Sequence, residues 1–208
     1  MPCSHLRRFK PRLLFPTCRL AGMTTLVGIQ GRNWALLGAD TRIADDSTIY
    51  RMAKGHSKII EHDNFTIACA GDVRAINILQ SQIKLPKTFV AKDDGHFITG
   101  FLIPAMRKAF TGAGYEKTTE GQSSHESEFL IVYNGKIYEV GSDYSWVQDA
   151  RGIYGLGSGG AIALGALACL SGDLVTRAEA RKWANKALEI ACEYNSDSAP
   201  PFHIVIKE

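Results

Sequence analysis

Met23-Thr24-Thr25-Leu26-Val27-Gly28-Ile29, with Gly38-Ala39-Asp40 shortly behind it, is the stretch on which the reading of this chain turns. Two threonines follow a methionine, and an apolar segment of strand character follows them. A chain that began at Met23 and lost it would present Thr24 at its N-terminus. Such a residue offers a hydroxyl nucleophile and an α-amine base together. The plainer alternative is a β-branched pair that opens an edge strand and does no chemistry.

Working outward, residues 1–22 differ from everything after them. They hold Arg7, Arg8, Lys10, Arg12 and Arg19, no acid, and prolines at 2, 11 and 16. The segment lacks the apolar run of about 7–15 residues that a secretory signal needs. It reads as a transit peptide, a propeptide, or translation from upstream of the true start; the position of Met23 favours the last. Thr24 cannot be a catalytic terminus while the leader is attached.

The formal net charge of +3 comes from that leader, because the other residues carry 19 basic against 21 acidic side chains. The body of the chain is therefore no polyanion binder, and no nucleic-acid partner is expected. With 208 residues, 45% of them hydrophobic, the length suits one domain over 23–208 with a substantial core. No apolar run is long enough to cross a bilayer, so no membrane partner is expected. Cys3, Cys18, Cys69, Cys169 and Cys192 show no metal-ligand spacing and suit a reducing, cytoplasmic setting.

Local patterns then alternate. Apolar runs over 25–30 and 34–39 flank Gly31-Arg32-Asn33, and those over 57–61 and 65–70 flank His62-Asp63-Asn64; both predict hairpins. The polar stretch 41–55 predicts a loop. Helical spacing predicts helices over 72–83, capped by Asp72, and over 93–111, bent by Pro104. Residues 118–127 are polar and predict a mobile loop. Asn134-Gly135 predicts a tight hairpin between 129–133 and 136–140. A strand over 152–157, helices over 159–171 and 176–194, and a strand over 202–206 complete the chain. Strands, two helices, strands, two helices and a strand suit two stacked sheets with helices outside, a four-layer α/β/β/α sandwich.

Several residues could serve the Thr24 amine. Lys58, in Ser57-Lys58-Ile59-Ile60, is an awkward lysine on an apolar strand unless it pairs. An ammonium near the amine lowers the amine's proton affinity, and Asp40 would keep that ammonium charged. An ordinary structural ion pair is the alternative. Gly71 stands at a strand-to-helix turn, where its N–H can meet an oxyanion or where glycine serves the turn alone. Gly155-Leu156-Gly157-Ser158-Gly159-Gly160 resembles a phosphate loop but lacks its Lys-Ser/Thr ending. Ser158 could instead orient an amine or a water.

Taken together, these pieces resemble the proteasome β-subunit family of N-terminal-nucleophile (Ntn) hydrolases, nearest its bacterial HslV-type peptidases. The matching residues are Thr24-Thr25-Leu26-Val27, Gly38-Ala39-Asp40-Thr41-Arg42, Lys58-Ile59-Ile60, Ala68-Cys69-Ala70-Gly71, Gly157-Ser158-Gly159-Gly160 and Ala187-Leu188-Glu189-Ile190-Ala191. Asp40 lies sixteen positions beyond Thr24, the family's separation. The resemblance implies Thr24 as nucleophile and base, Asp40 and Lys58 as tuners of the amine, Gly71 as oxyanion donor and Ser158 as positioning residue. It implies a mostly apolar specificity pocket at Ile43, His56, Cys69 and Val73. The family's aspartate-serine pair maps to Asn195 and Ser198, and the glycine usual before the threonine is Met23. No cofactor is implied for the chemistry. A structural monovalent or divalent cation is implied on backbone carbonyls of Cys192, Asn195 and Ser198.

The implied function is a threonine-type endopeptidase in a homo-oligomeric ring, fed unfolded proteins by an ATP-dependent unfoldase. Two alternatives stay open: a catalytically silent assembly subunit, and a small-molecule amidohydrolase on the same fold.

Overall fold

The computed structural model describes residues 21–22, 24–44, 48–88, 90–170 and 176–208. The leader through residue 20, together with Met23, lies outside them. In chain order the strands are β1 (Ala21–Gly22), β2 (Leu26–Gln30), β3 (Ala35–Asp40), β4 (Arg42–Ala44), β5 (Ile49–Arg51), β6 (Ile59–Glu61) and β7 (Thr66–Asp72). After them come α1 (Val73–Gln82), α2 (Asp94–Phe97), a π-helical turn (Ile98–Leu102) and α3 (Ile103–Gly112). Strands β8 (Lys117–Thr119), β9 (Gln122–Ser124), β10 (Ser127–Tyr133), β11 (Lys136–Val140), β12 (Trp146–Val147) and β13 (Ile153–Leu156) follow. Helices α4 (Gly160–Leu170) and α5 (Arg177–Tyr194) and strand β14 (Phe202–Lys207) close the chain.

Two antiparallel sheets dominate. One runs β1-β7-β10-β11-β12, with β6 on the same edge of β7 as β1; the other runs β13-β2-β3-β14. Strand alternation sends successive side chains to opposite faces, and three apolar clusters result. Ala68, Ala70, Leu130 and Ile137 of the first sheet meet Leu26, Leu37 and Ala39 of the second between the sheets. Ile67, Phe129 and Ile131 face Ile76, Leu79, Met106 and Phe110 of α1 and α3. Val27, Ile29 and Leu36 face Ala163 and Leu167 of α4 and Ala184 and Leu188 of α5. Small alanines on α4 and α5 let the two helices lie close to the sheet.

Three local expectations change. The 41–55 loop contains the β4–β5 hairpin, in which Ile43 opposes Tyr50. The 118–127 loop contains most of the β8–β9 hairpin, turned at Glu120-Gly121, both at positive φ. The helix expected over 93–111 is present from Asp94 to Gly112 and is interrupted only in its hydrogen-bond pattern, by a π-helical stretch. Proline has no N–H to offer the preceding turn, and the π-helical stretch just before Pro104 absorbs the lost register. Asp72 caps α1 by accepting the Arg74 N–H at 2.8 Å, as its sequence position suggests.

Candidate active site

The two sheets meet at one corner in a buried polar cluster. Asp40, the last residue of β3, is wholly buried and accepts four donors. Its Oδ1 accepts the Lys58 ammonium at 2.8 Å and the Thr25 N–H at 2.9 Å. Its Oδ2 accepts the Arg42 N–H at 2.9 Å and the Ala199 N–H at 3.4 Å. Four donors replace the water that burial removed, and so the carboxylate is tolerated in the interior. Lys58 is 2% exposed. Burial lowers its pKa, and the neighbouring Asp40 carboxylate opposes that shift.

Sequence reasoning did not foresee what aims Lys58. The Ser57 hydroxyl bonds Nδ1 of His203 on β14 and accepts the Ile59 N–H at 2.9 Å. It thereby ties the start of β6 to the opposite sheet beside Asp40. Nothing in the spacing of residues 57 and 203 signals that contact. It exists because β14 pairs with β3, which puts His203 opposite Ala39.

The two threonines occupy different settings. The Thr25 hydroxyl lies 2.6 Å from the Ser198 hydroxyl in the interior, so this residue is held on both sides and is no free nucleophile. Thr24 is 1% exposed. Its carbonyl accepts the Gly159 N–H and the Ser158 hydroxyl, each at 3.4 Å. The glycine-rich turn exists to admit this pair of threonines. A Cβ at Gly157, where φ is +82°, would lie 2.1 Å from the Thr24 carbonyl oxygen. One at Gly159 would lie 2.0 Å from the Thr25 hydroxyl. The glycines make room for a chain, not for a phosphate. Asn195 Oδ1 accepts weakly from Ser158 and Ser198, each at 3.5 Å, which links the turn after α5 to the same cluster.

Gly71 sits beside this corner with φ +113°. A Cβ there would lie 2.5 Å from the Glu126 carbonyl oxygen, so only glycine fits. The Cys69 N–H bonds Lys58 on one edge of β7, and the Asp72 N–H points to β10 on the other. Alternation therefore turns the Gly71 N–H toward the edge shared with Lys58. Gly22 of β1 is its register partner on that edge. Ala21 and Gly22 thus run antiparallel along β7, past the N–H expected to meet an oxyanion.

The expected pocket residues are dispersed in character. Ile43 and Val73 are half-buried and His56 is exposed. Cys69 is 1% exposed and belongs to the cluster between sheet and α1, where burial pushes its thiol up to about 12. A thiol so held is no nucleophile and reaches a substrate only as the floor of a pocket. Two carbonyls of the turn carrying Asn195 and Ser198 have donors nearby. The Arg42 guanidinium already donates to the Ser196 carbonyl there, and the Asn195 carbonyl faces the Ser198 N–H at 3.5 Å. Among the described residues, no cluster of three or more His, Cys, Asp or Glu side chains is placed to hold a metal, and no helix is long and apolar enough to cross a membrane.

No protein-family model matches the sequence, and no curated protein matches it. Solved structures do. The chain is similar to Thiobacillus denitrificans BPH with a TM-score of 0.73, at 20% identity, over 89% of this chain and 98% of that one. Its TM-score with eukaryotic HslV from Trypanosoma brucei is 0.62, at 18% identity, over 88% and 98% of the two chains. Against the Anbu Gly-1 mutant from Hyphomicrobium sp. strain MC1 it is 0.66, at 16% identity, over 89% and 81%. The likeness to HslV-type proteins read from the sequence therefore holds at the level of the α/β fold.

Proposed function

We propose that this chain is a threonine-type endopeptidase of the proteasome-like, HslV-type class, built as a four-layer Ntn-hydrolase sandwich. The carrying observation is the Asp40 carboxylate, which ties the Lys58 ammonium to the Thr25 N–H, one residue from Thr24. The reaction needs Thr24 uncapped. Its amine then takes the Thr24 hydroxyl proton as the oxygen attacks a peptide carbonyl, and the Gly71 N–H faces the oxyanion. The C–N bond breaks, the leaving amine takes the proton, and an ester remains on Thr24. Water, deprotonated by the same amine, releases the acid and restores the hydroxyl. Lys58 holds positive charge near the amine and favours its neutral form. Ser158 and Gly159 fix the Thr24 backbone.

A homo-oligomeric ring, an ATP-dependent unfoldase, unfolded-protein substrates and a cytoplasmic location belong to the same proposal. A second reading is favoured by a specific contact. With Gly22 opposite Gly71 and Thr24 buried, the uncut chain is a capped, silent subunit.

One experiment separates the two. BPH has been solved in complex with epoxomicin. The full-length product is expressed, its N-terminal residue determined, and the protein exposed to that epoxyketone with intact-mass readout. The peptidase reading expects a chain starting at Thr24 that gains one inhibitor mass and degrades casein. A chain that keeps its leader and gains no mass leaves the silent-subunit reading. A chain that starts at Thr24 and hydrolyses small amides but not casein points to an amidohydrolase.

A further inference from the structure

Among the described residues, one flank of Thr24 is lined by chain and the other opens on a cavity. On the first, Ala21–Gly22 lie along the edge of β7, so the acyl side of the Thr24 peptide bond already accommodates an extended chain. On the second, beyond Gly71 and across β7 toward β10, a cavity of about 380 Å³ opens against Gly157 and Ser158. The walls that hold the Thr24 carbonyl are therefore also walls of this cavity. If the acyl half of a substrate follows the β1 path, this space, walled by Gly71 and Ser158, lies open to the leaving half.

Its chemistry is one-sided. Glu126 and Glu128 line it. Glu126 shares its carboxylate with Lys117, whereas Glu128 is exposed and holds no ion pair among the described residues. Glu128 lies opposite Ala70, next to Gly71 in β7, which puts its charge within one residue of the oxyanion position. His125 is the one ring in the lining, 3% exposed. Its Nδ1 accepts the Ser127 N–H at 3.3 Å, so in the neutral ring Nε2 carries the proton. That Nε2 is buried without a partner among the described residues. Burial holds the imidazole's pKa down to about 4, so it adds no positive charge at neutral pH.

We propose that this cavity receives the first residue of the leaving half of a cleaved peptide and selects a cationic side chain there, lysine or arginine, through Glu128 assisted by Glu126. His125 closes the base of the cavity as a neutral packed ring and brings no charge to compete with the two glutamates. This inference rests on the peptidase reading and goes beyond it, naming a preference on the side of the cut that the apolar pocket residues do not govern.

The test uses the protein purified from full-length expression, its N-terminal residue verified, with internally quenched peptides that differ only in Lys, Ala or Glu after the cut. The wild type should cleave the Lys peptide about tenfold better than the Glu peptide in kcat/KM, the scale of one exposed ion pair set against one like-charge contact. Added salt should compress that ratio. Glu128→Gln should bring it toward one and Glu128→Lys should invert it. Lys117→Ala, which withdraws the ammonium that Glu126 holds, should raise it. Should Glu128→Lys fail to fold, the Glu128→Gln, Lys117→Ala and salt series still decide. Cleavage of all three peptides at equal rates, or a ratio that ignores every variant, overturns the subsite and leaves the peptidase standing. No cleavage by a chain with free Thr24 overturns both.

Discussion

Two corners of this molecule bury titratable groups on either flank of Gly71, and they treat those groups in opposite ways. At the Asp40 corner the carboxylate has four donors and the lysine has its counter-charge. At the His125 corner the ring packs tilted against Phe110 and Phe129 and edge-on to Tyr144, and both His125 Nε2 and the Tyr144 hydroxyl lack partners among the described residues. Burial lowers the proton affinity of Lys58 and of His125 alike. Pairing is what separates them. A paired buried charge can be held for use beside a nucleophile, whereas a ring without a counter-charge is driven neutral and serves as packing.

The largest effect that could break this contrast lies at the nucleophile. Thr24→Ala should lower peptidase kcat by at least about a thousandfold with little change in Tm. Retained activity in a quenched-peptide assay would move the chemistry elsewhere. Lys58→Ala should strand the Asp40 carboxylate, losing about 3–5 kcal/mol of stability in urea unfolding along with activity. The pair Asp40→Asn with Lys58→Met should regain much of that stability and none of the activity. If Lys58→Ala proves neutral for stability, the corner is wetter than its burial indicates. Gly71→Ala forces a Cβ against the Glu126 carbonyl at positive φ and should lose about 1–3 kcal/mol.

The His125 corner sharpens the contrast through pH. An unfolded chain binds a proton at this ring near pH 6.5, whereas the folded one refuses it until about pH 4. Between those values the unfolded state holds more protons, so the ring's contribution to stability is intact above pH 6.5 and drains away as pH falls toward 4. His125→Phe should flatten that part of the Tm-against-pH curve, and an unchanged slope would show that the ring titrates freely. The smallest effect is Ser198→Ala. It takes away the partner of the Thr25 hydroxyl and should cost about 1 kcal/mol, read as a modest fall in Tm.

Much of the fold was legible because strand and helix periods are local. The Asn134-Gly135 turn, the Asp72 cap and the long last helix follow from residues within a few positions of each other. The β4–β5 and β8–β9 hairpins were missed because each of their strands is three residues long, too short to show an inside-outside alternation. The π-helical stretch was half legible: Pro104 announced a disturbance but not its form. At the site, Asp40 and Lys58 could be paired on paper, because a buried lysine needs an acid. The Ser57–His203 and Thr25–Ser198 contacts could not.

The sequence by itself determined the elements, the two facing charges and the threonine at the head of β2, since each is dictated by residue chemistry and short-range spacing. The tertiary structure alone decided which threonine is locked to Ser198, where the Gly71 N–H points, and that the glycine-rich turn makes space for Thr24 and Thr25. Those outcomes depend on how two sheets stack and how β14 and the turn after α5 return to β3. Contacts between positions more than a hundred residues apart are fixed by packing, and no local pattern encodes them.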